Sequence, residues 1–212
     1  MTNSMLQAQQ TTLVFIHGFL DGATVWSDVV ATIGDCAASA QCLDLSGMGG
    51  RSGESGPYSL DRFAEDVATQ VRAQAGPVVL VGHSMGAQIA ELVATQLGEQ
   101  VRGFVLVTPV PLKGAGLPDE VMKTFHAMGG NPDAQREGRR RFSVNLDDVR
   151  LEKLGMLGDG IIASSVGVLA DTWNRGHHLG EQCSQYEGPV LIVRGEGDPF
   201  VTEEMVTSPL RH

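Results

Sequence analysis

The sequence predicts an α/β fold in which helices cover both faces of a mostly parallel β-sheet. Short apolar runs alternate with segments of helical period along the 212 residues, and this is the order of parallel strands joined by crossover helices. The runs are apolar nearly throughout, as expected for strands that are covered on both faces. A chain of this length is also long enough to bury a substantial core.

Five of the apolar runs are predicted to be strands. They are TTLVFI (11–16), QCLDL (41–45), PVVLVG (77–82), GFVLVT (103–108) and PVLIVR (189–194). Two of the segments between them have a clear helical period, and in the first Ser59 can cap the helix N-terminus. The apolar positions are Leu60, Phe63, Val67 and Val71 in the first segment, and Ile89, Val93 and Leu97 in the second.

The alternation stops from about Leu112 to Asn174, where a polar segment containing glycine and arginine intervenes. A structureless loop of that length is uncommon in a compact domain, so we expect a small helical insertion. We therefore predict a core in two parts, residues 1–111 and 176–212, with a helical cap or lid at 112–175. The alternative for the insertion is a surface excursion with no role at a pocket.

Composition limits the partners of the chain. A net charge of −10 opposes binding to nucleic acid or to an anionic membrane. No run reaches the roughly 20 apolar residues of a membrane span, and the start MTNSMLQAQQ does not resemble a signal peptide, so we expect a cytoplasmic protein. The one basic cluster, REGRRRF (136–142), is predicted to be a solvated helix face.

The strongest chemical motif is Gly82-His83-Ser84-Met85-Gly86, which fits G-x-S-x-G between a predicted strand and a predicted helix. A serine on such a sharp turn has strained backbone geometry, and small neighbours avoid collisions. Its oxygen lies at a helix N-terminus, where the dipole and free N–H groups favour a developing anion. Ser84 is therefore predicted to be a nucleophile.

Three further motifs follow predicted strands: FIHGFLDG (15–22), CLDLSGMGGRS (42–52) and VLIVRGEGDPFV (190–201). With the serine motif, they make the chain resemble the α/β-hydrolase superfamily from Thr11 to about Phe200. The second motif departs from the usual pattern, with Ser46 and Met48 where proline and histidine are commonest. Its rival interpretation, a phosphate-binding glycine loop, fails because neither phosphate-loop pattern is matched.

The resemblance implies the α/β-hydrolase fold and a set of site residues. The backbone N–H groups of Phe19 and Met85 would form the oxyanion hole, and His17 would hold its loop without acting as the base. Asp198 would be the acid of the catalytic triad, with Glu196 the weaker candidate. Such a carboxylate orients the histidine and stabilises the imidazolium that forms when serine loses its proton.

The expected histidine is hard to find. In the family the triad runs serine, acid, histidine, and the loop, helix, strand and loop between the last two sum to roughly 24 residues. Only fourteen residues, Pro199 to His212, follow Asp198. His212 is the one histidine among them and is named as a possible base. The other histidines, at positions 83, 126, 177 and 178, have no evident catalytic placement.

The function that this pattern favours is a serine hydrolase that forms an acyl-enzyme on Ser84. Its substrate would be a carboxylic ester, lactone or thioester of a small apolar acid, with no cofactor and no metal. Within the same resemblance lie carbon–carbon bond hydrolases and cofactor-free perhydrolases.

The missing histidine leaves two interpretations open. One is a shortened version of a longer hydrolase, and the other is a non-catalytic binding protein with the same fold. If the last strand and helix are absent, a sheet edge and an apolar face are exposed, which predicts self-association.

Overall fold

A computed structural model of the protein describes residues 11–182, 184 and 186–207. Its centre is a sheet of five strands: β1 (Thr12–Ile16), β2 (Gln41–Leu43), β3 (Val78–His83), β4 (Val101–Val107) and β5 (Val190–Val193). The strands lie in the order β2-β1-β3-β4-β5, and every neighbouring pair is parallel. The predicted α/β class and the five predicted strands are confirmed.

Helices connect the strands and pack on the sheet. The α-helices of the described residues are α1 (Ser27–Ile33), α2 (Leu60–Arg72), α3 (Met85–Leu97), α4 (Asp119–His126), α5 (Pro132–Arg141), α6 (Asp148–Asp159), α7 (Ala163–Arg175) and α8 (Glu203–Thr207). Short 3₁₀ turns accompany them. No single helix in this part of the chain is long and apolar enough to cross a membrane, although the bent pair Asp148–Asp159 and Ala163–Glu181 together reaches that length and composition.

The order of the strands determines where a ligand can bind. From β1 the chain crosses to β2 on one side and then returns to β3 on the other, so Val14 pairs with both Gln41 and Leu80. The connections after β1 and β3 therefore leave the sheet in opposite directions. In open parallel sheets, such a switch point opens a crevice at the carboxyl ends of the strands.

One face of the sheet is covered by α2 and α3, as their sequences predict. The Ser59 hydroxyl accepts a hydrogen bond from the Arg62 N–H at 3.2 Å and caps α2, and Phe63 and Val67 on its apolar face are buried. Helix α3 is apolar on most of its circumference and is buried along its first ten residues except Glu91. These helices form the main core with β1, β3 and β4.

The opposite face is covered only in part. Phe15, Trp26 and Val81 form a smaller core under α1. Further along the same face, Leu191 and Val193 on β5 pair in register with Val105 and Val107 but are 57% and 45% exposed. An edge strand with exposed apolar side chains therefore closes this side of the sheet among the described residues.

Four helices, α4 to α7, stand between β4 and β5, and we refer to them as the inserted helices. The prediction that REGRRRF is a solvated face is wrong for Arg136 and Arg139, whose side chains are each only 15% exposed. Their spacing of three residues places both on one side of α5, where Arg136 pairs with Glu152 and Asp159 of α6. Arg140, on another side, is exposed. The boundaries drawn for the insertion stay a prediction.

Candidate active site

Ser84 lies in the turn between β3 and α3, and its backbone is strained. Its φ of 53° and ψ of −116° lie in a region that residues other than glycine seldom adopt. The Ser84 N–H donates to the Val107 carbonyl at 3.0 Å, and its carbonyl accepts from the Ala87 N–H at 3.0 Å. These bonds hold the turn in place between the sheet and the first turn of the helix.

Glycine on either side of Ser84 allows the backbones to approach closely. A Cβ atom on Gly82 would collide with the Gly86 carbonyl, and one on Gly86 would lie 2.6 Å from the His17 carbonyl oxygen. Both obstacles are backbone atoms that cannot move aside. Gly82 therefore lets α3 start close to β3, and Gly86 brings the start of α3 against the end of β1, which places the loop after β1 beside Ser84.

His17 joins that loop to the loop after β2. Its ring is fully buried, with Nδ1–H donating to the Gly18 carbonyl at 2.8 Å and Nε2 accepting from the Leu45 N–H at 3.0 Å. Because Nε2 accepts an N–H it carries no proton, so the ring is neutral, and burial lowers the pKa of the imidazole below its ordinary value. With both nitrogens bonded to the backbone, His17 has no free position to accept a proton from a nucleophile.

The two predicted oxyanion donors are each close to Ser84, one in the pocket that Ser84 lines and the other next to it in the chain. Phe19 follows the end of β1 and lines a pocket with Ser84. Met85 is the first residue of α3, so its N–H has no partner within the helix. The next residue of the loop, Leu20, has a φ of 61°, and it too lines the pocket. The role of these N–H groups stays a prediction.

Asp198 follows β5 and lines the same pocket as Ser84. Its Oδ1 accepts hydrogen bonds from the N–H groups of Phe200 and Val201, both at 2.9 Å, so its orientation is fixed by the turn it caps. Glu196, the weaker candidate for the acid, is exposed and does not line the pocket. The geometry therefore favours Asp198 over Glu196 as the carboxylate beside the serine.

The pocket has a volume of about 220 Å³, and aromatic rings form much of its wall. Phe125 and Trp173 meet edge to face with centroids 5.0 Å apart. The Trp173 Nε1 atom is buried, and no residue in the described part of the chain accepts a hydrogen bond from it. The aromatic lining residues are Phe19, Phe125, Phe142, Trp173 and Phe200, and they come from five separate segments of the chain.

Two charged residues that sequence reasoning missed also line the pocket. The Asp21 carboxylate is buried and pairs with Arg139 of α5, with Nη1 and Oδ1 2.9 Å apart. Its other oxygen lies 3.7 Å from Nδ1 of His83, whose pKa is lowered chiefly by burial. Asp21 lies within the FIHGFLDG motif and Arg139 within the basic cluster, so each residue belongs to a segment that the sequence singles out. What the sequence lacks is any sign that they meet.

The remaining described histidines lie away from the serine. His126 pairs with Asp171 on the surface, with Nε2 and Oδ1 2.7 Å apart. His177 pairs with Asp61 at 3.1 Å, and His178 packs against its ring. Among the histidines that the structure describes, His83 alone lines the pocket. His212, the predicted base, lies outside the described residues.

Comparison with known proteins identifies hydrolases as relatives. The chain is 32% identical over 120 residues to Lipase LipV of Mycobacterium tuberculosis, and this alignment covers 56% of this chain and 43% of that protein. It is 34% identical over 118 residues to the Pimeloyl-[acyl-carrier protein] methyl ester esterase of Yersinia enterocolitica, covering 53% and 44% respectively. The chain thus spans less than half the length of these relatives.

Solved structures share the fold. The Esterase (EaEST) from Exiguobacterium antarcticum superposes with a TM-score of 0.78 at 17% identity, covering 94% of this chain and 80% of that one. The sequence profile of the Alpha/beta hydrolase family matches residues 13–210, which is nearly the whole chain. The resemblance seen in the motifs is confirmed, and the protein belongs to the alpha/beta hydrolase family.

Proposed function

We propose that this protein is a serine hydrolase that acts on a carboxylic ester, lactone or thioester of a small, largely apolar acid. The observation that carries the proposal is the strained backbone of Ser84 at the wall of a pocket that Asp198 also lines. Strain of this kind persists only where the surrounding structure fixes it, and it concentrates at active sites. The hydrolase names of the two relatives point the same way.

In the proposed reaction the Ser84 hydroxyl attacks the carbonyl carbon of the substrate. The electron pair of the C=O bond moves to the oxygen, which accepts hydrogen bonds from the Phe19 and Met85 N–H groups at the positive end of α3. Collapse of this tetrahedral intermediate expels the alcohol or thiol, which takes up the proton that the serine lost. Water then attacks the acyl-enzyme and releases the acid.

A histidine must carry that proton, and Asp198 would orient it and stabilise its charged form. His212 stays the predicted base. His83 is the alternative, because it lines the pocket beside Asp21. The variants His212→Gln and His83→Gln distinguish them, since only loss of the true base abolishes labelling of the serine.

Size, apolarity and charge of the pocket support the proposed substrate. Its volume of about 220 Å³ is below the roughly 300–1,000 Å³ of pockets for drug-sized ligands, so a short acyl group fits better than a long fatty chain. Aromatic rings favour an apolar group. The described lining residues include two carboxylates, Asp21 and Asp198, and one guanidinium, that of Arg139. This balance disfavours an acyl group with its own negative charge.

Intact mass spectrometry with a fluorophosphonate probe tests the nucleophile. The chain, of 22.5 kDa, is expected to gain one adduct that is absent from the Ser84→Ala variant. Ser143→Ala is the matched control, because Ser143 also lines the pocket and should leave the adduct unchanged. A folded protein that gains no adduct, and binds short apolar acids equally well with Ser84→Ala, would support a binding protein in place of an enzyme.

Turnover of p-nitrophenyl esters tests the acid and the substrate. Acetate and butyrate esters are expected to be cleaved much faster than the palmitate ester. Asp198→Asn should lower kcat by about 10⁴-fold, as in other triads where the acid is made neutral, whereas Glu196→Gln should have little effect. Equal losses from both variants would remove Asp198 from the proposed triad.

A further inference from the structure

Arg139 crosses from the inserted helices to the loop after β1. Its Nη2 donates to the Leu20 carbonyl at 2.7 Å, and its Nη1 donates to the Asp21 carboxylate at 2.9 Å. The Asp21 side chain is only 5% exposed. A planar guanidinium that grips two acceptors at once fixes their relative position, which an ammonium group cannot do equally well.

The segment that Arg139 grips is the one that carries the proposed oxyanion donor Phe19. Leu20 is in the left-handed region, with a φ of 61°, and needs external contacts to stay there. Within the loop itself, the Asp21 N–H lies 3.4 Å from the Gly18 carbonyl, which is long for a hydrogen bond. The short contact from Arg139 to the Leu20 carbonyl is therefore the stronger restraint on this turn.

Asp21, the partner of the guanidinium, also lies near the turn that contains Ser84. The second oxygen of Asp21 lies 3.7 Å from Nδ1 of His83, which directly precedes Ser84 in the chain. Asp21 is thus buried between Arg139 and the end of β3, directly before the nucleophile, with a hydrogen-bonded contact to Arg139 and a longer contact to His83. One side chain of α5 contacts the two residues that directly follow the proposed oxyanion donor Phe19, and one of them, Asp21, lies near the residue that precedes Ser84.

We propose that Arg139 is a positioning residue that couples the placement of α5 to the geometry of the oxyanion loop. Because Gln135, Gly138 and Arg139 of α5 line the pocket, a displacement of α5 that widens the pocket also breaks the contacts to Leu20 and Asp21. This proposal rests on the proposed function, since the loop matters for catalysis only if Ser84 is a nucleophile.

Arg136 offers a matched control on the same helix. Its side chain is as buried as that of Arg139, but its partners Glu152 and Asp159 both belong to α6. Loss of Arg136 therefore weakens the contact between α5 and α6 without touching the loop after β1. Arg139→Gln and Arg136→Gln each remove one positive charge from α5. They differ in the partner that is lost, which is the loop after β1 for Arg139 and α6 for Arg136.

Two measurements on the full chain test the proposal. Hydrogen exchange of the amides of residues 19–21 is expected to accelerate at least tenfold in Arg139→Gln and to be unchanged in Arg136→Gln. The saturating rate of fluorophosphonate labelling should fall about 10- to 100-fold in Arg139→Gln, as small misplacements of a site do, while the probe concentration at half saturation stays the same. Arg139→Lys should recover part of the rate.

Because Arg139→Gln leaves the Asp21 carboxylate buried without its partner, the pair of changes Asp21→Asn and Arg139→Gln is a second variant that removes both charges. It should show the same fast exchange and slow labelling. Loop exchange and labelling that match those of Arg136→Gln in both variants would overturn the proposal. A wild-type chain that is not labelled at all would refute the proposed function instead, and the exchange measurement would still decide whether Arg139 holds the loop.

Discussion

Ser84 keeps a backbone conformation that costs stability and that glycine adopts freely. With a φ of 53° and a ψ of −116°, it is expected to cost about 1–3 kcal/mol relative to a relaxed serine. Replacement by glycine removes the clash of the Cβ atom and adds some entropy to the unfolded chain. We therefore predict that Ser84→Gly is more stable than the wild type by about 1 kcal/mol and takes up no fluorophosphonate.

Urea unfolding followed by circular dichroism measures this difference. Ser143→Gly serves as the control, because Ser143 lacks a positive φ and glycine there should lower stability slightly. If Ser84→Gly unfolded at a lower urea concentration than the wild type, the conclusion that the backbone of Ser84 costs stability would be wrong.

At the scale of single residues, the sequence predicts those site residues whose role shows in the few residues next to them. Ser84 was identified because its small neighbours lie within two positions of it, and Asp198 because its turn follows a strand. Asp21 and Arg139 were missed because they are 118 residues apart. Their pairing depends on how α5 is placed against the loop after β1, and no periodicity in the sequence specifies that placement.

At the scale of elements, the contact between α3 and β1 depends on one missing methyl group. A Cβ atom on Gly86 would meet the carbonyl oxygens of Ile16 and His17, and backbone atoms cannot rotate away. We predict that Gly86→Ala lowers the free energy of unfolding by at least about 3 kcal/mol or prevents folding. Gly53→Ala is the control, because a Cβ atom there meets nothing within 4 Å. Thermal unfolding that ranks the two variants equally would contradict this packing.

A second prediction at this scale concerns Glu91 on α3. Its side chain is partly exposed, but desolvation of the carboxyl raises the pKa from 4.5 to about 7, and none of the ion pairs found among the described residues includes it. Between pH 4.5 and 7 the folded chain keeps a proton that the unfolded chain loses, so stability falls as the pH rises through this range and the loss is complete above it.

Glu91→Gln should therefore be more stable than the wild type by about 3 kcal/mol at pH 8 and nearly equal to it at pH 4.5. Urea unfolding at both pH values measures the difference. Glu99→Gln, at an exposed position, should show no such pH dependence. A constant difference between Glu91→Gln and the wild type at both pH values would mean that the carboxyl is hydrated in the folded chain.

The elements themselves were predictable from the sequence where the physical signal was strong. All five strands are short apolar runs, whether buried or, like β5, partly exposed, and α2 combines an N-cap with a four-residue apolar period, so the sequence predicts both closely. The inserted helices were predicted only as a helical segment. Helix α5 carries four arginines in its ten residues, and a helix that buries ion pairs has no apolar face by which to recognise it.

At the scale of the whole molecule, β5 is an edge strand of the sheet with exposed apolar side chains. Leu191 and Val193 are 57% and 45% exposed on a strand that pairs only with β4 among the described residues. Exposed apolar edge strands pair with other chains. We predict that the protein self-associates as its concentration rises, and that Leu191→Lys or Val193→Lys shifts it toward the monomer.

Sedimentation velocity over a range of concentrations measures this association. Val149→Lys is the control, because Val149 is 82% exposed on α6, far from the edge in sequence, and should not change the distribution. A wild-type chain that remains monomeric at the highest concentration would contradict the prediction.

The position of Trp173 has a consequence for spectroscopy. The chain has two tryptophans: Trp173 is part of the aromatic wall of the pocket, whereas Trp26 lies in the smaller core under α1. Among the described residues nothing accepts a hydrogen bond from the buried indole N–H of Trp173, and the emission of an indole depends on the polarity of its surroundings. Fluorescence emission in a Trp26→Phe background would therefore report occupancy of the pocket directly, with no label and no turnover, and would let ligands be ranked on the Ser84→Ala protein.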